Sequence, residues 1–412
     1  MLVLLRNTWV LFFGFAIICL GHGLQGTLIG VRSVIEGFSF VSAGFIIAGY
    51  YVGYLTGAIL IPIFLRRVGH IRVFAALASL ASIAILLHSV LLDPYSWFFI
   101  RILTGISLSG IYIIMESWLN YKSNNQTRGK LLSIYMIITF SFVALGQFLL
   151  NLSDPSKVDL FILISILLSL ALLPILLSTT EQPDVSNPKY LSFKEFYILS
   201  PLGFVAAIII GLSHSTVFGY GAVYVSSKGL SIFQISLFMV VISSCGALAQ
   251  WPIGYISDKI DRRVLLIAVT FIASALCILI VISSYISFLA FLILAGLFSC
   301  MCLPMFSLAV AHVNDFLETS EIVSASSTFN ILIGFGSILG PILVSNIMSL
   351  IGSNGFFIYL FVIHGLLGLF GIYRMAKRTK PSGTESQYTA LPRNISAAGM
   401  ELNPVTEPID EK

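Results

Sequence analysis

The stretch Gly37-Phe38-Ser39 closes the first apolar segment of the chain, and Gly229-Leu230-Ser231 repeats it 192 residues later. Two further pairs share that offset: His22 with His214, and Arg66-Arg67 with Asp258-Lys259. Each copy carries a histidine in an apolar run, a Gly-apolar-Ser turn, a second apolar run and a charged hairpin. One offset over about 50 residues indicates an internal duplication, which is typical of transporter folds.

The composition indicates a membrane protein. The 412 residues are 58% hydrophobic and 10% charged, with a mean hydropathy of +1.00, whereas soluble domains carry about 25% charged residues. Apolar runs of about 18 residues or more recur, and each can cross a hydrocarbon core of about 30 Å as a helix. A backbone in lipid must satisfy its own hydrogen bonds, so the runs predict helices and exclude strands. The fold class is an all-α polytopic membrane protein.

The apolar runs predict twelve transmembrane helices in two pseudo-symmetric six-helix halves. The spans are expected near residues 8–30, 39–65, 71–92, 97–119, 130–151, 158–178, 199–222, 232–257, 264–284, 286–311, 322–349 and 356–376. The predicted domains are an N-terminal half over 1–178, a cytoplasmic linker over 179–198, a C-terminal half over 199–376 and a tail over 377–412. The tail is polar and rich in proline, so we expect a disordered cytoplasmic segment.

The loops divide the basic residues unevenly. With the N-terminus in the cytoplasm, the inner segments hold eighteen of the 22 Lys and Arg residues, while the outer segments hold Arg32, Lys157 and Lys228. This asymmetry follows the positive-inside rule and predicts a multi-pass membrane protein with both termini cytoplasmic. The residues up to Arg6 are too few for a cleavable leader, so we expect the first run to be retained as span 1.

Neither a metal nor a cofactor is expected. The five cysteines all lie in apolar runs and predict no disulfide framework. Cys300-Met301-Cys302 offers soft sulfur ligands suited to Cu(I), but neither a second sulfur cluster nor a histidine array accompanies it. The chain has no Gly-x-x-x-x-Gly-Lys-Ser/Thr motif, so an ion gradient or the substrate gradient is expected to supply the energy.

The hairpin after span 8 reads Gln250-Trp251-Pro252-Ile253-Gly254-Tyr255-Ile256-Ser257-Asp258-Lys259-Ile260-Asp261-Arg262-Arg263. It resembles the inter-helix signature of the major facilitator superfamily, Gly-x-x-x-Asp-(Arg/Lys)-x-Gly-(Arg/Lys)-(Arg/Lys). The matching residues are Gly254, Asp258, Lys259, Arg262 and Arg263, while Asp261 replaces the usual glycine. The resemblance implies a cytoplasmic latch that releases when that face opens. The alternative is a solvated turn that only enforces topology.

The copy of this hairpin in the first half departs from the signature. Pro62 stands at the glycine position and Arg66 at the aspartate position. A latch of the usual kind therefore lacks its acid here. We expect Arg66 and Arg67 to meet anionic lipid or one of the acids Asp258, Glu116 and Asp315.

Span 4 carries two charges at membrane depth. Arg101 opens Arg101-Ile102-Leu103-Thr104-Gly105, which resembles the Arg-x-x-x-Gly element of proton-driven members of the superfamily. Two interpretations stay open: a cavity residue that binds an anion or controls the pKa of a nearby acid, or an interfacial arginine that snorkels outward near Trp97. Glu116 lies about 22 Å further along the helix. It is either a proton-coupling carboxylate or an inner-gate partner of Arg128 or a basic hairpin.

The duplicated histidines are candidates for substrate or proton binding. His22 and His214 are predicted near the bilayer midplane, with Gln25 one turn from His22. Histidine titrates near physiological pH and can carry a proton, although a membrane histidine can also serve only as a helix–helix hydrogen bonder. Three amides are further cavity candidates, namely Gln147, Gln250 and Asn330.

Several longer runs resemble the YcaD-like branch of bacterial major facilitators. They are Glu36-Gly37-Phe38-Ser39, Arg66-Arg67-Val68-Gly69-His70-Ile71-Arg72-Val73-Phe74, Glu116-Ser117-Trp118-Leu119-Asn120 and Gln250-Trp251-Pro252-Ile253-Gly254. The resemblance covers nearly the whole chain apart from linker and tail. It implies a solute transporter of the cytoplasmic membrane and leaves the substrate unnamed.

The predicted function is secondary active transport of a small solute by alternating access. Proton symport is favoured because His22, His214, Glu116 and Arg101 can support it. A proton-driven efflux pump for drugs or metabolites is the nearest alternative, although span 5 reads Ala144-Leu145-Gly146-Gln147 and lacks the Gly-Pro signature of drug/proton antiporters. A receptor would carry a folded soluble domain, and an enzyme would cluster its ionisable groups at one depth. We expect a monomer in the bilayer whose partners are the solute and protons, with no nucleic acid.

Overall fold

The computed structural model describes residues 2–176, 190–377, 387–392 and 395–406. Within these ranges it is built from helices, and twelve of them are long and apolar enough to cross a membrane. Spans 1 to 12 are Thr8–Ile35, Phe40–Val68, His70–Val90, Pro94–Tyr121, Arg128–Leu152, Asp159–Leu176, Pro201–Ser227, Ile232–Ser257, Arg262–Ser283, Phe288–Asn314, Thr319–Ile351 and Gly355–Lys377. The predicted fold class is confirmed. Most of the predicted linker lies outside the described residues, and the described part contains the short helix Phe193–Leu199.

The duplicated turn has the same geometry in both copies. Gly37 and Gly229 have φ angles of 72° and 73°, in the left-handed region that glycine adopts without a steric penalty. The serine two residues later then caps the next helix. Ser39 Oγ accepts a hydrogen bond from the Ser42 N–H at 3.1 Å, and Ser231 Oγ accepts one from the Gln234 N–H at 3.3 Å. The repeated tripeptide is thus a helix–turn–helix corner.

The two ends of the bundle differ in charge. One end, called the turn end, carries the two Gly-apolar-Ser corners, and the other, called the basic end, carries Arg66, Arg67 and the hairpin Lys259–Arg263. The first and last six spans contact each other through spans 1 and 7, 2 and 11, and 5 and 8. At the turn end the Tyr220 hydroxyl donates to the Phe40 carbonyl at 2.8 Å, and the Asn151 amide donates to Ser236 Oγ at 2.7 Å. These contacts close the turn end.

Two spans approach unusually closely at a pair of glycines. A β-carbon added to Gly53 of span 2 would collide with the Ile102 carbonyl oxygen, and one added to Gly105 of span 4 would collide with the Tyr50 carbonyl oxygen. Glycine at both positions lets the two backbones touch. The close approach places Tyr50 directly beside Arg101, one turn before Gly105.

Spans 7 and 10 each contain a local break. In span 7 a π-helical turn covers Thr216–Tyr220, an irregularity that is frequent at functional sites. Span 10 is divided into Phe288–Cys302 and Met305–Asn314, because Pro304 has no N–H to continue the helix. Both breaks lie beside His214.

The described part of the tail is folded, which differs from the predicted disorder. Residues 387–392 and 395–406 lie at the basic end, and the short helix Ala397–Met400 packs against spans 4 and 11. Four apolar side chains of this segment are almost fully buried, namely Leu391, Ile395, Met400 and Leu402. The tail is polar on average, so its overall composition did not predict that these four side chains would be buried. Residues 378–386, 393–394 and 407–412 lie outside the described part of the chain.

Candidate functional site

A cavity of about 930 Å³ lies between the two groups of six spans, a volume within the usual range for small-molecule sites. Its lining includes His22, Tyr50 and Tyr112 from the first six spans and His214, Ser243 and Asn330 from the last six. The cavity reaches the basic end, where Asn124, Ser324 and the tail residues 395–398 and Glu401 also line it. Because the turn end is closed, the cavity faces the basic end.

The lining is rich in hydroxyl groups and poor in charge. Its hydroxyl-bearing side chains include Tyr50, Tyr51, Tyr54, Tyr112, Tyr121, Ser109, Thr139, Ser215, Ser327 and Ser337. Among the described residues that line it there is no lysine or arginine, and Glu401 from the tail supplies the carboxylate. Such a surface offers hydrogen bonds and aromatic faces to a solute without a strong electrostatic demand.

The imidazole of His22 is held between two tyrosines. Nδ1 lies 2.9 Å from the Tyr112 hydroxyl oxygen, and Nε2 lies 3.3 Å from the Tyr50 hydroxyl oxygen. A neutral imidazole has one donor and one acceptor nitrogen, so one tyrosine donates to it and the other accepts from it. A protonated imidazole donates from both nitrogens, which makes both tyrosines acceptors. Protonation of His22 therefore turns one tyrosine O–H toward another partner.

Arg101 lies behind this group. Its guanidinium carbon is 4.5 Å from the centroid of the Tyr50 ring, and the residue is only 6% exposed. None of the ion pairs found among the described residues includes Arg101, and its Nε has no hydrogen-bond partner there. The burial disagrees with the snorkelling interpretation. Arg101 does not line the cavity itself and reaches the His22 group through Tyr50.

His214 is fixed at the break in span 10. Its Nε2 lies 3.0 Å from the carbonyl oxygen of Cys302, and since a carbonyl can only accept, Nε2 carries the proton. The ring also meets Phe218 of the π-helical turn edge-on, with 6.0 Å between centroids. His22 and His214 thus both line one cavity, but their partners differ.

Three of the predicted amides, Gln25, Gln147 and Gln250, lie apart from the cavity lining. Gln147 of span 5 exchanges hydrogen bonds with Ser243 of span 8 at 3.1 and 3.2 Å and so joins the two groups of six spans. Gln25 is buried, and its Nε2 finds no hydrogen-bond partner among the described residues. None of these three side chains is part of the cavity surface.

Glu116 binds a tyrosine and the tail. The Tyr135 hydroxyl donates to Oε1 at 2.7 Å, and the backbone N–H of Ser396 donates to Oε2 at 2.9 Å. No ion pair joins Glu116 to Arg128 among the described residues. Glu116 and Arg128, proposed from the sequence as inner-gate partners, therefore both lie at the basic end, but each binds the tail and not the other.

The remaining amide and gate candidates also contact the tail. Arg128 Nη2 donates to the carbonyl oxygens of Pro404 and Thr406 at 2.8 and 3.0 Å. The amides of Gln250 and Asn330 donate to the carbonyl oxygens of Leu391 and Ile395 at 3.3 and 2.9 Å. A β-carbon on Gly254 would lie 2.5 Å from the Tyr388 ring. These side chains form a receptor for the tail backbone.

Arg262 is the centre of the charged hairpin. It pairs with Asp258 at 3.1 Å and with the buried Asp315 at the end of span 10. Arg263 pairs with Asp261 at 2.7 Å, and Lys259 lies over the Tyr255 ring. Asp258 also accepts the Tyr388 N–H at 2.8 Å. In the first-half copy Arg66 and Arg67 are exposed, and none of the described ion pairs includes them.

Burial changes the titration of a cavity-lining carboxyl group in the tail. It raises the pKa of the Glu401 carboxyl, and the hydrogen bond from the Asn120 amide opposes part of that rise. The ionised carboxylate is therefore less stable in the docked tail than in water.

The cavity tyrosines were not predicted from the sequence. Tyr50, Tyr51 and Tyr54 occupy neighbouring positions of one apolar run, and Tyr112 lies in another. Tyrosine in a transmembrane helix is usually found at the membrane interfaces. Three tyrosines within five residues, well inside a span, were the available signal.

Comparison with known proteins places this architecture in one family. A family model described as Major Facilitator Superfamily matches residues 11–249 and 203–402. The uncharacterized MFS-type transporter YcaD of Escherichia coli O6:K15:H31 (strain 536 / UPEC) is 24% identical over 355 residues, which cover 86% of this chain and 92% of that protein. The YcaD protein of Escherichia coli (strain SMS-3-5 / SECEC) matches to the same extent.

Solved structures share the fold at low identity. The nucleoside transporter NupG superposes with a TM-score of 0.75 at 14% identity, covering 90% of this chain and 99% of that chain. A bacterial homologue of the human lysosomal transporter Spinster, in an inward-facing and occupied conformation, gives 0.73 at 14% identity over 92% and 98% of the two chains. A single-residue variant of the Escherichia coli fucose:proton symporter FucP gives 0.53 at 13% identity over 89% and 99%.

Proposed function

The chain belongs to the major facilitator superfamily, and from this premise we propose that it is a proton-coupled symporter of a small uncharged solute. Transport proceeds by alternating access, with the solute bound in the cavity between the two groups of six spans. The single observation that carries the proposal is that the duplicated histidines His22 and His214 line one cavity at the interface of the repeats.

The orientation follows from the charges. We place the basic end in the cytoplasm, with both termini on that side of the cell inner membrane, because the loops at this end hold most of the basic residues. The closed turn end then faces outward, and the conformation is inward-facing. The cavity is formed within one chain, which supports a monomer as the transporting unit.

The cavity surface favours an uncharged solute with several hydrogen-bonding groups. Tyr50, Tyr51 and Tyr54 offer ring faces and hydroxyls, while Ser243 and Ser337 offer hydroxyls from the other wall. A solute of strong charge would need an opposite charge inside the membrane-spanning region to offset its desolvation. The lining residues that the spans contribute include two histidines but no lysine, arginine or carboxylate, and Arg101 lies outside the lining behind Tyr50.

His22 is the group that we propose carries the coupled proton. When a proton binds the acceptor nitrogen, the tyrosine that had donated to that nitrogen becomes an acceptor. Its O–H then points away from the imidazole and can donate to a solute oxygen or nitrogen in the cavity, so proton and solute favour each other's binding. Arg101 positions Tyr50 through the ring contact at 4.5 Å.

The test begins with the purified protein and a panel of uncharged and charged solutes. A bound solute raises the melting temperature by mass action, so hits are found without an assay of transport. Hits are then assayed in proteoliposomes with an imposed pH gradient, with inside-acid and outside-acid arms. We expect uncharged solutes to bind and their uptake to follow the gradient. Binding restricted to charged solutes, or uptake that ignores the gradient, would contradict the proposal.

His22→Gln supplies the matched variant. Glutamine keeps a donor and an acceptor for Tyr50 and Tyr112 but cannot be protonated. We expect solute binding to persist and uptake to lose its dependence on the gradient. His70→Gln is the control, because His70 contacts Ser117 at 3.0 Å near the basic end and does not line the cavity.

A further inference from the structure

The tail segment, defined as residues 387–392 and 395–406, is bound along the basic end by side chains of both groups of six spans. The first group contributes Glu116 and Asn120 of span 4 and Arg128 of span 5. The last group contributes Gln250 of span 8, Asp258 after it, Ser307 of span 10 and Asn330 of span 11. The tail segment therefore bridges the two groups.

Side chains of the spans accept hydrogen bonds from the tail backbone at several successive residues. Asp258 accepts the N–H of Tyr388 at 2.8 Å, and Ser307 Oγ accepts the N–H of Leu391 at 2.9 Å. Further along, Glu116 accepts the N–H of Ser396 at 2.9 Å. Hydrogen bonds between these side chains and backbone groups fix the register of the segment, as in peptide recognition by a protein groove.

Apolar and small side chains complete the fit. Leu391, Ile395, Met400 and Leu402 are each at most 3% exposed. A β-carbon on Gly399 would lie 2.7 Å from the Glu116 carboxyl carbon and 2.6 Å from Ile395 Cγ1. A side chain at position 399 is thus incompatible with docking in this arrangement.

We propose that the basic-end opening is a peptide-binding site whose ligand is the tail segment of the same chain, and that its docking holds the transporter inward-facing. The second part rests on the proposed function. To reach the outward-facing state, spans 4 and 5 must approach spans 8, 10 and 11 at the basic end. The tail segment occupies the space between them, so it has to leave first. A ligand that binds one of two conformations shifts the equilibrium toward it.

The test uses the full chain and no transported solute. The five native cysteines are replaced by alanine, and Ser345→Cys is the reporter because Ser345 is buried at the turn end against Gly44. A membrane-impermeant maleimide added outside labels it only when the turn end opens. Gly399→Leu displaces the tail, and Gln387→Leu adds the same side chain at an exposed tail position as the control. Trypsin is added at the cytoplasmic face, and the rate of its cleavage after Arg393 measures how often the tail segment undocks.

We expect Gly399→Leu to speed both cleavage and reporter labelling by at least about tenfold, and Gln387→Leu to change neither. Unchanged cleavage in Gly399→Leu would overturn the docking site. Faster cleavage with unchanged labelling would overturn the claim that the docked tail keeps the transporter inward-facing. Neither outcome bears on solute or proton coupling, which the proteoliposome assay tests separately.

A disulfide provides the opposite perturbation and does not depend on the fold of Gly399→Leu. A β-carbon on Gly129 would lie 2.9 Å from Pro404 Cγ, so Gly129→Cys with Pro404→Cys places two sulfurs within reach of a bond. Oxidation should lock the tail and slow labelling of the reporter by at least about tenfold relative to the reduced sample. Labelling that stays equally fast with the disulfide formed would overturn the proposal.

Discussion

The Nδ1 atom of His22 lies 2.9 Å from the hydroxyl oxygen of Tyr112, which joins span 1 to span 4 inside the cavity. The second ring nitrogen contacts Tyr50, and Tyr50 in turn stacks against Arg101. A titratable group and two hydroxyls therefore meet at the cavity surface, and a buried cation lies behind one of the two tyrosines. The duplicated histidine of the second half lacks such a group and is bound to a backbone carbonyl instead.

Removal of the Tyr112 hydroxyl should weaken proton coupling. Tyr112→Phe deprives a protonated His22 of one acceptor, and a hydrogen bond to a charged group contributes about 1.5–3 kcal/mol. We expect the rate of gradient-driven uptake to fall by roughly tenfold or more, while solute binding measured by thermal shift at alkaline pH is kept. Tyr95→Phe, at a highly exposed tyrosine of the same span, is the control. An equal loss of binding and uptake would argue against this role of Tyr112.

We expect Arg101 to lower the free energy of unfolding and to be required for transport. It is buried without an ion pair among the described residues, so the desolvation cost of its charge is not offset by an opposite charge. Arg101→Met is therefore expected to raise the melting temperature and to reduce uptake severely. A variant that keeps normal uptake would show that the contact with Tyr50 is only structural.

The close approach of spans 2 and 4 should tolerate no added methyl group. Gly105→Ala drives a β-carbon into the Tyr50 carbonyl oxygen, and overpacking of this kind costs about 1–3 kcal/mol. The measurement is thermal unfolding in detergent. Gly26→Ala is the matched control, since a β-carbon there has no neighbour within 4 Å, and the same substitution should be neutral or slightly stabilising. Equal melting temperatures for both variants would refute the packing account.

The partners of Arg262 should differ in their importance. The side chain of Asp315 is 5% exposed and that of Asp258 is 37% exposed. Arg262→Gln leaves Asp315 buried and uncompensated, which costs about 3–5 kcal/mol, whereas Asp258→Asn removes a partly solvated pair worth up to about 1 kcal/mol. Thermal unfolding of both variants tests the ranking. The reverse order would restore Asp258 as the main partner in the latch.

Docking of the tail should weaken as pH rises. Burial raises the pKa of Glu401 above that of the undocked tail, so the carboxyl group favours docking fully below the undocked pKa, and that contribution is lost as pH rises through the docked pKa. Charged groups that bind the same stretch are Glu116 and Arg128. A nitroxide at Gln387→Cys should become more mobile from acid to neutral pH, and Glu401→Gln should reduce this response. If Glu401→Gln leaves the pH response unchanged, another titratable group is responsible for that response.

The sequence predicted the fold because span lengths and the repeat depend on local composition. The corners at Gly37 and Gly229 are local too, since one φ angle and one cap define each. His22 and His214 were found because the repeat aligns them. The hydrogen-bond partners of these histidines were not predicted. Tyr112, for example, lies 90 residues from His22 along the chain, and no local pattern encodes that contact.

The gate and amide candidates show a different limit of sequence analysis. Glu116, Arg128, Gln250 and Asn330 were recognised as polar groups that need partners at membrane depth. The partners of all four side chains include backbone atoms of the tail, and such contacts have no signature in the sequence. Low overall hydrophobicity predicted disorder for that tail, although a few apolar residues suffice when a preformed groove receives them.

The most direct test of the central claim is a measurement of proton movement with solute in proteoliposomes. A pH-sensitive dye is enclosed, no gradient is imposed, and the solute identified by thermal shift is added outside. The account predicts that solute entry acidifies the lumen, and that His22→Gln still admits solute without acidification. Solute entry without any proton movement in the unaltered protein would contradict it.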